Sequence, residues 1–190
     1  RQMAAFRTAI ASGKMHNGWL FGGPHGVGKA RFAKLAASLL VDPDRQQQNL
    51  IERHTHPDIL WIERLPKEPP KDGDEPDPNA EKKRNIAIDQ VRELQHRLTT
   101  RPSMGEKRVV IIDAADDLER GGANALLKSL EEPPVGTYFF LISHASERLL
   151  PTIRSRCRML RFSPLSAADM RAAIRQQAEN MGDAEIDAIL

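Results

Sequence analysis

Cysteine is almost missing from the chain: Cys157 is the single one among 190 residues. One cysteine cannot form an internal disulfide or supply the several thiolates of a cysteine zinc site. There is no apolar run near the roughly 20 residues that a helix needs to cross a bilayer, and the chain does not open with a signal peptide. We therefore expect a cytoplasmic protein in a reducing compartment.

A large excess of charge of one sign is also missing. The formal net charge is +2, which is too small to establish a nucleic-acid partner. The composition, 40% hydrophobic and 28% charged, is ordinary for a globular protein, and the length fits one domain, or one domain and part of another. The sequence starts at Arg1 within an apparent helix and stops at Leu190 within another, so we expect a fragment of a longer protein.

Apolar runs of strand length recur along the chain, and helical patterns separate them. Several runs are apolar without alternation, which is typical of parallel strands covered on both faces. Strands that alternate with helices predict an α/β fold, with a doubly wound parallel sheet of five strands sandwiched by helices. The predicted strands are residues 19–21, 58–63, 108–113, 137–143 and 158–162.

Helical spacing of apolar residues predicts which helix faces point to the core. The spacing predicts one core-facing stripe of Phe32, Leu35, Ala36, Leu39 and Leu40, and a second of Ile88, Val91, Leu94 and Leu98.

A third helix is predicted through ANALLKSLEE. It has to end before Pro133, because proline disfavours the helical conformation in the preceding residue.

Two segments depart from this pattern. Residues 64–85 are rich in proline and charge and cannot bury enough surface to offset the entropy of ordering, so they are predicted to be a disordered surface insertion, with a partner-binding loop as the alternative. Residues 164–190 are helical and alanine-rich, and we interpret them as the truncated beginning of a small helical lid domain. Residues 1–163 then form a nucleotide-binding-type core.

Residues 22–30, GGPHGVGKA, match the phosphate-binding loop G-x-x-x-x-G-K-[ST] at every position but the last. Such a loop binds an anion because backbone N–H groups and the helix dipole point to it, while the lysine reaches the terminal phosphates. Gly23, Gly28 and Lys29 occupy the motif positions, and Gly26 lies between them. The strand before the loop and the amphipathic helix after it argue against a chance match.

Two positions lack groups that nucleotide hydrolysis uses. Ala30 stands where the motif has a hydroxyl that ligates magnesium. Asp113 ends the run RVVIID, at the carboxyl end of a strand where α/β sheets place ligands, but Ala114 follows it instead of a water-activating glutamate. Because a positioned base contributes about 10²–10⁴-fold, only a trace of hydrolysis is expected. Asp116 and Asp117, downstream of this position, are predicted to be solvated or to cap the next helix, and the alternative is that they substitute for the missing base.

Residues 113–157 carry a more specific signal, in the motifs ANALLKSLEEPP and LLPTIRSRC. They resemble the clamp-loader branch of the AAA+ proteins, and the resemblance covers most of the chain outside residues 64–85. A degenerate nucleotide site together with an intact SRC motif is most similar to the delta-prime family of bacterial DNA polymerase III. The resemblance implies a P-loop AAA+ fold.

In that family the arginine of SRC acts in trans, at the ATP site of a neighbouring subunit. This position is Arg156, and the alternative for it is a plain surface ion pair. Arginines of this kind are worth roughly 10³–10⁵ in rate. Ser143 falls at the family's polar nucleotide sensor, with His144 beside it as the alternative. Together with the loop glycines, Lys29 and Asp113, Ser143 completes a degenerate nucleotide site.

The resemblance implies that the protein requires no cofactor. ATP, ADP or an anion is expected to bind weakly at most. The family's four-cysteine zinc module has no counterpart here, and His54 and His56 alone make a poor zinc site, so neither zinc nor another metal is expected.

The resemblance implies as partners the other clamp-loader subunits, gamma/tau and delta, the sliding clamp, and primer-template DNA in the assembled complex, with no membrane. The expected function is that of a non-hydrolysing subunit of the DNA polymerase III holoenzyme, a DNA-directed DNA polymerase, during loading of the sliding clamp onto primed DNA. Two alternatives stay open: a self-sufficient AAA+ ATPase of the gamma/tau type, and a P-loop phosphotransferase, which has less support.

Overall fold

The apolar runs form one sheet of five parallel strands in a computed structural model that describes residues 2–68, 77 and 80–164. The order across the sheet is β2-β3-β4-β1-β5, and every neighbouring pair is parallel. The predicted strands agree with the observed ones to within a residue at either end. The strands are β1 (Gly18–Gly22), β2 (Ile59–Glu63), β3 (Arg108–Asp113), β4 (Thr137–Ser143) and β5 (Arg158–Arg161).

Helices cover both faces of the sheet, so the predicted sandwich is confirmed. The apolar side chains of α1 and α2 share one core with Val109 and Ile111 of β3. The side chains of α4, α5 and α6 share the other core with Val110 and Ile112 of the same strand. The helices are α1 (Gln2–Ala11), α2 (Lys29–Val41), α3 (Gln48–Glu52), α4 (Ile88–Arg97), α5 (Arg120–Glu131) and α6 (Pro151–Ser155), and short 3₁₀ turns span Ala115–Asp117 and Ser146–Arg148.

The buried stripe of α2 differs from the predicted one. Leu35 was expected to face the core but is 46% exposed, and Phe32 is only partly buried. The alanine-rich sequence fits helical spacing in more than one phase, and in the observed phase Lys29, at the start of the helix, is buried as well. The stripe that does face the sheet consists of Ala33, Ala36, Ala37 and Leu40.

The other two helical predictions fit the structure more closely. In the helix now labelled α4 and the residue after it, Val91, Leu94 and Leu98 are buried as predicted, while Ile88, at the start of the helix, is only partly buried. Helix α5 ends at Glu131, two residues before Pro133.

Only the base of the insertion at residues 64–85 is described. There the backbone N–H of Lys67 donates to the Glu81 carbonyl at 2.7 Å, and the N–H of Lys83 donates to the Leu65 carbonyl at 2.7 Å. Residues 69–76, 78 and 79 of the insertion and residues 165–190, where the lid domain is predicted, lie outside the described residues. None of the helices in the described ranges has both the length and the apolarity of a membrane span.

A buried polar network organises the segment between α2 and β2. Asp42 accepts hydrogen bonds from the Gln47 N–H (2.9 Å) and from Gln48 Nε2 (2.9 Å). The Gln47 Oε1 atom lies 2.5 Å from His56 Nε2, and His56 Nδ1 accepts from the Asp58 N–H at 3.1 Å. Across residues 2–68, 77 and 80–164, no three His, Cys, Asp or Glu side chains are grouped so that they could hold a metal ion.

Candidate functional site

The phosphate-loop motif connects the carboxyl end of β1 to the start of α2, as its sequence predicted. Gly26 and Gly28 have φ angles of 77° and 83°, a left-handed conformation that glycine adopts without steric strain. Gly23 is required for a different reason, because a Cβ there would lie 2.1 Å from the carbonyl oxygen of Phe162. The loop therefore packs closely against the segment that follows β5.

Lys29 is folded into its own loop. Its side chain is buried, and Nζ donates to the carbonyl oxygens of Gly23 (2.6 Å) and Pro24 (2.5 Å). Burial lowers the pKa of Lys29, while the carboxylates of Asp113 and Asp116 oppose that shift. The ammonium group that would reach a phosphate in an active loop thus satisfies backbone carbonyls here.

Asp113 lies at the carboxyl end of β3, on the wall of a cleft of about 910 Å³. Burial raises the pKa of Asp113 and the carboxylate of Glu63 adds to the rise, whereas Lys29 and Lys82 lower it. The next residue, Ala114, is buried and lines the same cleft. The cleft wall beside the aspartate therefore has no carboxylate at the position of the water-activating glutamate.

Asp116 was predicted to be solvated or to cap a helix, and this prediction is wrong. The turn at Ala115–Asp117 directs its carboxylate to the end of β4. There it accepts hydrogen bonds from Ser143 Oγ (2.9 Å) and from the backbone N–H groups of His144 (2.6 Å) and Ala145 (3.3 Å). Ser143, the predicted nucleotide sensor, is fully buried and has its hydroxyl hydrogen bonded to this carboxylate.

Asp117 also has a partner, since its carboxylate lies 3.1 Å from Arg64 Nε. This ion pair joins the turn after β3 to the residue that follows β2. Neither aspartate caps a helix through its side chain. The carboxylate of Asp116 is instead hydrogen bonded to the end of β4, and that of Asp117 is paired with Arg64.

Two histidine rings, one of them from the phosphate loop, stack on each other. The rings of His25, within the loop, and His144, after β4, stack at 3.4 Å between centroids with 17° between their planes. Burial lowers the pKa of His144, and the positive charges of Lys29 and His25 lower it further, while Asp116 and Asp117 oppose the shift. Sequence reasoning named His144 only as an alternative sensor and missed His25, which occupies a variable position of the motif.

Arg156 follows the last residue of α6 and is 32% exposed. Its Nη2 atom lies 2.5 Å from Glu131 Oε1, and Nη1 donates to the Thr152 carbonyl oxygen at 2.8 Å. The surface ion pair named as the alternative for this arginine is therefore present. Its partner Glu131, the last residue of α5, was not predicted.

Arg156 and the phosphate loop lie at opposite edges of the sheet, in the sense that Arg156 is near the amino-terminal ends of the strands and the loop is at the carboxyl end of β1. Arg158 of β5 pairs with Trp19 near the start of β1, and the Arg156 carbonyl packs beside Gly18. The loop, by contrast, begins where β1 ends at Gly22. A strand of this length advances about 3.3 Å per residue, so roughly 15 Å of β1 separates the two sites. The structure does not bring Arg156 to the phosphate loop of its own chain.

Comparisons with known proteins place this arrangement in a family. The sequence model of the family described as "DNA polymerase III, delta subunit" matches residues 1–166. The delta' subunit of DNA polymerase III from Pseudomonas aeruginosa is 36% identical over 148 residues, which cover 73% of this chain and 40% of that protein. The gamma/tau subunit from Mycobacterium bovis is 30% identical over 189 residues, covering 98% of this chain and 31% of that protein.

A solved structure supports the fold. A gamma subunit-related protein of DNA polymerase III from Thermotoga maritima superposes with a TM-score of 0.57 at 21% identity, covering 96% of this chain and 51% of the other. The chain spans less than half of the length of the curated relatives named above. The predicted resemblance is confirmed: with its AAA+ α/β fold, the chain belongs to the delta-prime family of DNA polymerase III clamp-loader subunits.

Proposed function

We propose that this chain is the core of a non-hydrolysing clamp-loader subunit that supplies Arg156 to the nucleotide site of a neighbouring subunit. The observation that carries the proposal is the position of Arg156 at the sheet edge opposite to its own phosphate loop. From that edge a guanidinium group serves a phosphate held by another chain, where a trans arginine is worth roughly 10³–10⁵ in rate.

The residues of the phosphate loop do not fit a magnesium–nucleotide group. Ala30 has no hydroxyl to ligate the metal, and Lys29 donates to the loop carbonyls. Ser143 Oγ donates to Asp116. This state of the loop supports our proposal that the chain requires no cofactor, that ATP, ADP or an anion binds weakly at most, and that the loop serves the fold.

The proposed partners follow from the family. They are the gamma/tau and delta subunits of the loader, the sliding clamp, and primer-template DNA in the assembled complex. The observed polar network between α2 and β2 supports the proposal that this segment holds its shape without zinc. A role in bacterial replication also implies a cytoplasmic location.

A self-sufficient ATPase of the gamma/tau type is the second candidate. It is favoured by the match to the Mycobacterium bovis gamma/tau subunit, which extends over 98% of this chain. The two candidates differ in one respect: only the second predicts ATP hydrolysis by the protein without partners. A P-loop phosphotransferase has no observation in its favour.

The test uses the full-length protein and measures ATP turnover alone and with the partner subunits. Turnover alone is expected at background. In the assembled complex, Arg156→Ala is expected to lower turnover several-fold or more, because the rate at the facing site depends on the trans guanidinium. Arg154→Ala is the matched control, since this exposed arginine lies in α6 two residues away and forms no ion pair within the described ranges.

Assembly of each variant complex is checked by gel filtration. Brisk turnover by the wild-type protein alone would favour the gamma/tau-type ATPase. Full activity of an assembled Arg156→Ala complex would contradict the trans role.

A further inference from the structure

The Glu131–Arg156 ion pair joins the ends of two helices that pack against each other. Glu131 is the last residue of α5, and Arg156 directly follows α6. Leu130 of α5 and Ile153 of α6 belong to the same buried core, so the backbone on both sides of the pair is held in place. The pair therefore connects two fixed points of the fold.

Both terminal nitrogens of the Arg156 guanidinium have partners within the chain. Nη2 contacts Glu131 Oε1 at 2.5 Å, and Nη1 donates to the Thr152 carbonyl oxygen at 2.8 Å and lies 3.4 Å from Ser155 Oγ. A guanidinium has five N–H donors in a fixed planar arrangement, so these three contacts leave two donors available. The Arg156 side chain is 32% exposed, so solvent reaches part of it.

We infer that Glu131 is the positioning residue for Arg156. It orients the guanidinium before the neighbouring subunit docks, so that the remaining donors point outward in one direction. The inference rests on the proposed function, because it needs Arg156 to act in trans. Glu131 is not a catalytic residue, since it touches the arginine and not the phosphate that the arginine serves.

Orientation matters here more than stability. Both partners are substantially exposed, with Glu131 at 48%, and exposed ion pairs contribute little to folding. A flexible arginine side chain, however, has many rotamers, and a misplacement of about 1 Å in a reacting arrangement can cost 10²-fold in rate. Loss of the Glu131 charge is therefore expected to affect turnover while leaving the fold intact.

The chain contains its own control in the next residue. Glu132 carries the same charge, is also exposed, and has no side-chain hydrogen bond or ion pair with any described residue. A nonspecific effect of removing a carboxylate near the interface would appear in Glu132→Gln as well. An effect confined to Glu131→Gln isolates the contact with Arg156.

The experiment uses the full-length protein assembled with its partner ATPase subunits and measures kcat and KM for ATP. Glu131→Gln is expected to lower kcat about tenfold with little change in KM, because the guanidinium is misoriented rather than lost. Glu131→Asp is expected to recover part of kcat, and Glu132→Gln to match wild type. Thermal unfolding and gel filtration are expected to be the same for all variants.

Arg156→Ala is measured in parallel so that two failures can be told apart. If Arg156→Ala lowers turnover and Glu131→Gln matches wild type, the positioning role is wrong and the proposed function stands. If Arg156→Ala has no effect, the proposed function itself is wrong. A rise in kcat for Glu131→Gln, or a fall that only follows weaker assembly, would also overturn the positioning role.

Discussion

The ammonium group of Lys29 lies 2.6 Å from the carbonyl oxygen of Gly23, inside the loop that its sequence marks as a phosphate site. In this position the lysine side chain stabilises the loop by donating to the carbonyl oxygens of Gly23 and Pro24. The contact makes the stability of the protein depend on a residue whose usual role is to bind phosphate.

Lys29→Ala is expected to destabilise the protein by about 1–3 kcal/mol, because the carbonyls of Gly23 and Pro24 lose a buried donor. Urea unfolding measures the loss. Lys128→Ala, at an exposed position of α5, is the control and should change stability by no more than about 0.5 kcal/mol. Equal stability of the two variants would mean that the Lys29 contacts are not structural.

Nucleotide binding to the full-length protein is expected to be weak, and magnesium is expected to add little to it. The reason is the methyl group of Ala30 at the position of the metal-binding hydroxyl. Calorimetry with ATP, with and without Mg²⁺, measures both quantities. Tight binding that depends strictly on Mg²⁺ would contradict this account of Ala30.

Asp58→Ala is expected to destabilise the protein by about 3–5 kcal/mol, because it leaves the buried guanidinium of Arg108 without its carboxylate. The carboxylate of Asp58 also accepts the backbone N–H groups of Ser103 and Met104. Chemical denaturation is the measurement. Asp89→Ala, which breaks the exposed pair with Arg92, should cost no more than about 1 kcal/mol.

Acid is expected to weaken the fold through His56. Burial lowers the pKa of His56, and the carboxylates of Asp58 and Asp42 oppose this shift without reversing it. The unfolded chain therefore binds the proton more readily than the folded chain. The contribution of His56 to the free energy of unfolding is fully present above the unfolded pKa of about 6.5 and is lost as the pH decreases below it. Urea unfolding at pH values from 7.5 to 5.5, about one unit on either side of the unfolded pKa, measures the slope of the free energy of unfolding against pH. An unchanged slope in His56→Asn would contradict the role of this residue.

Cys157 is expected to react slowly with thiol reagents in the native protein. Burial raises the pKa of the Cys157 thiol to about 12, so the thiolate is scarce at pH 8. Its labelling rate is expected to be at least about 10²-fold below the rate of the same protein in denaturant, where the thiol pKa returns to about 8.5. Fast labelling of the native protein would show an accessible thiolate.

Several features could be predicted from the sequence because their causes are local. The uninterrupted apolar run at residues 109–112 predicts a strand buried on both faces, and both faces are covered. Pro133 after a helical pattern predicts where α5 ends. The loop glycines are predicted by the motif, and the positive φ angles of Gly26 and Gly28 explain the need for them.

The partners of charged side chains could not be predicted in the same way. Asp116 bonds Ser143 across 27 positions of sequence, and Glu131 reaches Arg156 from another helix. Helical spacing also failed for Leu35, because an alanine-rich helix fits more than one phase.

By itself the amino-acid sequence determined the order of strands and helices along the chain, the glycines of the phosphate loop, and the absence of a hydroxyl at Ala30 and of a carboxylate at Ala114, since all of these depend on short-range chemistry. Only the tertiary structure decided that Lys29 and Ser143 satisfy internal acceptors, and that Arg156 lies at the edge of the sheet away from its own loop. Those relationships depend on how parallel strands from distant parts of the chain align, and alignment is a property of the packed sheet rather than of any one segment.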